Sequence, residues 1–177
     1  MWTCNEHGQR AGRDIRSYFT PNRIPISVLE LHDLQACVTA TGNQDPPPAE
    51  WLFIRDARSL LNAGDFRRAV IDACTAAELS VTALIDRRFD LLGTSQADRE
   101  QQFASHHGLS KLIQLNNNLG ASTLPRRLQQ DVAEPRNKAA HQGAKSSEAE
   151  ARAAILKATD AVEMAYPLAN LVLIQTN

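Results

Sequence analysis

GDFRRAVIDACTAAELSVTALIDRRFDLL, residues 64–92, is the stretch on which the fold turns. Phe66, Val70, Ala73, Cys74, Ala77, Val81, Leu84 and Ile85 recur at intervals of three and four, the repeat of one helix face and not the alternation of a strand. Asp65 stands where an N-cap belongs, its side-chain oxygen able to accept an amide of the first turn. The spacing predicts one long helix from Asp65 to Leu92, and an apolar stripe of that length needs other elements to cover it. Glu78 lies at the edge of the stripe, four residues after Cys74 and three before Val81. A carboxylate there is ordinarily hydrogen-bonded or turned toward solvent, and it is also a candidate acidic group for a site on that face.

Working outward, everything after residue 45 reads helical. A first helix is predicted from about Pro48 to Asn62, with proline at its start and Gly64 beyond its end. Shorter helices are expected near 96–105, 108–117 and 122–133, punctuated by Gly108 and Gly120. Asn116–Asn118 read as a helix end and turn. The last helix opens with a capping box, Ser147 followed by Glu150, and runs along Ala151, Ile155, Ala158, Val162 and Ala165. Its line continues through Leu168, Leu171 and Val172, with Pro167 expected to kink or interrupt it. The expected fold is all-α, an up-and-down four-to-five-helix bundle over residues 46–177, and no internal repeat suggests a solenoid. Residues 1–45 differ. IPISVLEL (24–31) and LQACVTAT (34–41) are rich in β-branched residues and read as two short strands or a hairpin, followed by a linker, TGNQDPPP, at Thr41–Pro48.

Composition narrows the function. The chain has 177 residues, is 43% hydrophobic and 22% charged, and carries a formal net charge of −1, so no bulk field draws it to nucleic acid or an anionic membrane. A phosphate-binding surface has to be local. Cys4, Cys37 and Cys74 have no paired spacing, so neither a disulfide framework nor a metal site is suggested, and Cys74 reads as a buried thiol. No apolar run is long enough to span a bilayer, and the N-terminus lacks the apolar core of a signal peptide. The expectation is a cytoplasmic protein without a membrane partner.

The chemistry concentrates in EPRNKAAHQG, residues 134–143. Pro135 suits the first turn of a helix and Gly143 its left-handed end. On such a helix Asn137 and His141 are four apart and share a face, whereas Arg136 and His141 are separated by about 140°. Convergence of those two requires a helix that loosens before His141, or an arginine that curls round. A guanidinium presents a planar fork to phosphate oxygens, and an imidazole exchanges protons near neutral pH. RNA carries its own nucleophile, the 2′-hydroxyl, so one cation and one acid/base suffice for cleavage to a 2′,3′-cyclic phosphate without a metal. The bare spacing is uninformative, since Arg99 also precedes His106 by a similar interval. The adjacent Asn137, the small pair Ala139-Ala140, Gly143 and the capped helix that follows give it context. Structural readings compete with the chemical one: Arg136 paired with Glu134, Asp131 or Glu78, or His141 held at a helix C-terminus. His106 and His107 point about 100° apart on a helix, cannot easily share one metal, and read as surface residues near Gly108. Trp51 reads as core or interface packing.

RNKAAHQG followed by SSEAEARAAILKATDAVEMAY resembles the C-terminal half of HEPN domains, whose hallmark is Arg, four to six residues, then His, often with a polar residue after the Arg. GDFRRAVIDACTAAELSVTALI is similar to their long early helix, which commonly carries an inner acidic residue. The resemblance covers roughly residues 48–177. It implies a helical bundle that dimerises with the Arg/His sites near the two-fold axis. Many members are metal-independent ribonucleases, often toxins or defence effectors, and others bind nucleotides or partners without catalysis. Carried onto this chain, it makes Arg136 the phosphate holder, His141 the general acid/base, Asn137 an ordering residue and Glu78 the inner acidic group. Lys138, Arg126 and Arg127 would extend a basic surface toward RNA. No cofactor and no metal is implied. The partners it implies are RNA or a nucleotide, a second copy of the chain, and a nucleotidyltransferase-like antitoxin. The alternatives are a non-catalytic nucleotide- or partner-binding module, favoured by the small basic excess of residues 126–145, and a purely structural dimerisation domain.

Overall fold

A computed structural model describes residues 46–141 and 145–168, and of His141 the backbone alone. The expected strands at 24–31 and 34–41, the boundary near residue 45, Gly143, Leu171 and Val172 lie outside the described residues. Among those described, the chain forms six α-helices, one π-helical segment and no strand. They are α1 (Ala49–Asn62), α2 (Phe66–Leu92), α3 (Gln96–Ser105), α4 (Leu109–Leu119), the π-segment (Gln129–Ala133), α5 (Glu134–His141) and α6 (Glu148–Ala165). None is long and apolar enough to cross a membrane.

Helix α2 is the axis of the packing. Asp65 accepts the Arg68 amide at 3.2 Å as the sequence predicts, and Gly93, at φ 65°, closes the other end while the Thr94 amide reaches back to the Phe89 carbonyl. Its 27 residues span about 40 Å. Helices α1, α4, α5, α6 and the π-segment all pack against it, most extensively α6 and α1. Small side chains make that possible. Ala69, Ala73, Ala76 and Ala77 on α2, and Ala151, Ala154, Ala158, Ala161 and Ala165 on α6, are all buried, with Val70, Val81, Ile85, Ile155 and Val162 filling the space between them. Alanine costs little conformational entropy and lets helix axes draw to the short end of their usual 8–10 Å separation.

The ends of the packing are tied by polar contacts. The Trp51 indole donates to the Tyr166 carbonyl at 3.0 Å, and the Arg87 guanidinium donates to the Ala165 carbonyl while lying over the Tyr166 ring. Both satisfy carbonyls at the C-terminus of α6, which Pro167 prevents from continuing. Helix α3 has no buried residue and is held by Arg99, which pairs with Asp90 at 2.7 Å, and by the edge-to-face contact of Phe103 with Phe89.

Two expectations are corrected here. The helix predicted at 122–133 does not form over its first half. Leu119 is followed by the left-handed Gly120, Asn116 is buried and bonded to Ser122, and Arg127 takes a positive φ of 65° before the chain becomes helical at Leu128. Pro125 and the Asn116–Ser122 contacts hold this stretch in a fixed turn in spite of its helix-compatible composition. Second, the helix does not loosen before His141: α5 is helical through it. The loosening lies upstream, in the π-segment, where the Glu134 amide bonds to the Gln129 carbonyl. Pro135 has no amide to give to Asp131, and its ring would press on that carbonyl in a regular helix. The wider turn removes the conflict and changes the helical phase before Arg136.

The capping box of α6 is present as expected. Ser147 Oγ accepts the Glu150 amide at 3.2 Å, and the Ser147 amide donates to the Glu150 carboxylate at 2.8 Å. The Ser147 amide and then its hydroxyl hold the Glu150 carboxyl below the usual carboxylate range, with Lys138 assisting. Ser147→Ala is expected to lower stability by about 1 kcal/mol in denaturant unfolding. A lowered carboxyl pKa adds stability above the unfolded value and loses it as pH falls, so the deficit should be full at about pH 6 and shrink toward about pH 3. In the seam, Ala158→Leu is expected to cost at least about 1–3 kcal/mol by overpacking; a neutral result would show that α6 does not seat closely there.

Candidate functional site

Residues from three parts of the fold meet at a pocket of about 200 Å³ lined by Cys74 and Glu78 of α2, His107 and Gly108 of the α3–α4 loop, Leu109 and Ser110 of α4, and Ala133, Arg136 and Asn137 of the π-segment and α5. Ala133, Arg136 and Asn137 are spaced i, i+3, i+4 and so form one stripe. The π-segment sets the phase of that stripe. Downstream, Ala139 is buried and its carbonyl accepts Arg67 Nε at 3.0 Å, which fastens α5 to α2.

Glu78 is the hinge of the arrangement. Its Oε1 accepts the Leu109 amide at 3.0 Å and lies 3.7 Å from the Cys74 sulfur. It therefore caps the first turn of α4 from another helix, in the place of the missing side-chain cap at Gly108. Gly108 adopts φ 79° in this turn, a conformation that glycine takes without a Cβ penalty. The edge-of-stripe carboxylate is thus hydrogen-bonded, as its position suggests, and it also faces the pocket that holds Arg136.

Cys74 reports the electrostatics of that floor. Burial, first of all, pushes its thiol well above the ordinary range. The Glu78 carboxylate adds to the shift, and the Arg136 guanidinium opposes it. The thiol is buried and inert as expected, and it feels both charges. Arg136 is half-buried and donates to Asn137 Oδ1 at 3.3 Å. Among the described residues it makes no ion pair: Asp131, one partner the sequence offered, binds Arg127 at 2.9 Å instead.

The other sequence candidates fall as follows. His141 is the last residue of α5, four positions after Asn137. Lys138 is exposed on α5 and does not line the pocket; its charge acts on Glu150. Arg126 and Arg127 are exposed and are not brought to Arg136. Arg127 borders a separate open concavity of about 410 Å³ with Leu124, Gln129 and Gln130. Their displacement follows from the turn at 121–127, which the sequence reads as helix.

The residue that sequence reasoning missed is His107. Its sequence reads as surface together with His106, and it is exposed, yet it lines the pocket beside Glu78, Arg136 and Asn137. His106 has a different task, its Nδ1 lying 2.8 Å from the Gln102 carbonyl and 3.1 Å from Ser105 Oγ at the end of α3. Only the contact between Glu78 and Leu109, made across 31 positions of chain, reveals where His107 goes. The chain matches no protein-family model, no curated protein and no solved structure.

Proposed function

We propose that this chain binds the phosphodiester backbone of RNA at the Glu78–Arg136–Asn137 pocket and cleaves it without a metal. The observation that carries the reading is the meeting of a half-buried guanidinium, a side-chain amide and a helix-capping carboxylate in one small concavity. Its volume, about 200 Å³, lies below the about 300–1,000 Å³ of sites that enclose a whole small molecule. It suits a phosphate group with part of its sugar, the rest of the strand running over the exposed surface. That favours a polymer substrate over an engulfed free nucleotide.

In the proposed reaction the long Arg136 side chain curls round to Asn137, to whose Oδ1 it donates at 3.3 Å, and holds the non-bridging phosphate oxygens on the face that Asn137 shares with His141 by helical spacing. His141 takes the proton of the 2′-hydroxyl or returns one to the leaving oxygen. The 2′-oxygen bonds to phosphorus, the bond to the 5′-oxygen breaks, and the products carry a 2′,3′-cyclic phosphate and a 5′-hydroxyl. The reading extends to a HEPN-type up-and-down bundle working as a homodimer in the cytoplasm, as a toxin or defence effector restrained by a nucleotidyltransferase-like partner. The resemblance of residues 48–177 supports that extension.

Purified protein is expected to cleave single-stranded RNA in EDTA. His141→Ala is expected to lower the rate by about 10²–10⁴-fold with an unchanged circular dichroism spectrum. Arg136→Lys, which keeps the charge and loses the planar fork, is expected to retain part of the RNA affinity that Arg136→Ala removes. Undiminished cleavage by His141→Ala would sink the catalytic reading. Equal RNA binding by wild type and Arg136→Ala would remove the phosphate site.

A further inference from the structure

Cleavage by a 2′-hydroxyl needs two proton movements, one off the nucleophile and one onto the leaving 5′-oxygen. A single imidazole at the end of α5 serves both only by acting in succession. The pocket that holds Arg136 and Asn137 is itself lined by an imidazole, that of His107. We infer that His107 is the second proton-transfer residue of the site, acting from the α3–α4 loop across from Arg136; the inference rests on the ribonuclease reading above.

Three observations carry it. His107 lines the pocket with Arg136 and Asn137, so a phosphate held by the guanidinium lies within the concavity that the imidazole borders. The ring is exposed, so it exchanges protons with solvent between turnovers. Its loop has a defined place: Gly108 turns at φ 79°, the Leu109 amide is fastened to Glu78 at 3.0 Å, and the neighbouring His106 is bonded to the end of α3. The groups facing the pocket are Glu78 and Cys74 from α2 and Arg136 and Asn137 from α5. Cys74 is held protonated by burial, the arginine and the amide offer only donors to an anion, and the Glu78 Oε1 is engaged by the Leu109 amide. His107 brings the one imidazole of that lining, a group that can both accept and donate a proton.

The protons balance between two imidazoles. The neutral one takes the 2′-hydroxyl proton as the new bond to phosphorus forms. The protonated one gives its proton to the 5′-oxygen as the old bond breaks. The pair leaves with its protonation exchanged and is reset through water. Fastening the loop makes Glu78 a positioning residue for His107.

The test uses the full chain with a short single-stranded RNA and its 2′-O-methyl counterpart, which binds but cannot be cleaved. His107→Ala and His107→Gln are each expected to lower kcat by about 10²–10⁴-fold, with affinity for the 2′-O-methyl strand within a few-fold of wild type and the melting temperature unchanged. The bell-shaped pH profile of the wild type is expected to lose one limb. Glu78→Gln, which still accepts the Leu109 amide, is expected to keep both limbs. Variants that cleave within about threefold of wild type overturn the inference, as does a lower rate that retains both limbs of the profile. Wild-type protein that does not cleave RNA overturns the parent reading and this inference with it. The two failures are distinct, because the first is seen only in the His107 variants and the second in the wild type.

Discussion

The structure depends on how closely two helices can approach when their facing residues are alanines. Helix α2 is covered by α1, α4, α5, α6 and the π-segment, a degree of enclosure that a helix studded with leucines would resist. Ala69, Ala73, Ala76 and Ala77 of α2 and Ala151, Ala154, Ala158, Ala161 and Ala165 of α6 are all buried, which removes side-chain bulk from the core these two helices share, and the branched residues buried with them exclude water. Dispersion across such a seam is large because it is summed over many close contacts, and it falls quickly when the seam is wedged apart. The same enclosure sets the conditions for polarity. Ser80 is buried and satisfied by the Ala76 carbonyl of its own helix at 2.8 Å, a solution that demands no partner. Glu78 finds on its own helix only the weak thiol donor of Cys74 at 3.7 Å, and its carboxylate is met by a backbone amide from elsewhere.

That contact links packing to the pocket. An unpaired carboxylate at the edge of a core costs several kcal/mol, and the donors nearest in kind are the unfilled amides at a helix start. Leu109 supplies one, and in doing so draws the start of α4 onto α2 and brings the preceding loop, with His107, over the pocket. The contact that satisfies the carboxylate is also the one that builds a wall of the site.

Much of the helical framework was legible because it is local. The three-and-four spacing of α2, the Asp65 and Ser147 caps and the Gly120 end are written within a few residues of where they act, and each is found in place. The errors fall where a distant or stereochemical constraint overrides local preference. Residues 122–127 have no composition that forbids helix, but Asn116 and Ser122 bond to each other and fix a turn. The expected loosening near His141 occurs instead before Pro135, whose missing amide is a local fact with an effect one turn upstream. Arg136, Asn137 and Glu78 were chosen on residue type and phase and do meet. His107 was passed over because nothing within its own loop says which element that loop lies against.

The electrostatic consequence concerns how an anion is accommodated beside a carboxylate. Two negative groups in one concavity repel, and in a partly dehydrated setting the cost rises as the local dielectric falls. Here the Glu78 charge is spread. One oxygen is bound to the amide that opens α4, where the helix dipole supplies a positive end, and the nearby thiol is held protonated and so adds no second charge. Arg136 is bonded to a neutral amide, Asn137, which orients the fork without cancelling it. The carboxylate is engaged by the protein's own backbone, and among the described residues the guanidinium makes no ion pair. Among the described residues, this division keeps the carboxylate and the guanidinium of one pocket from closing on each other as a salt bridge.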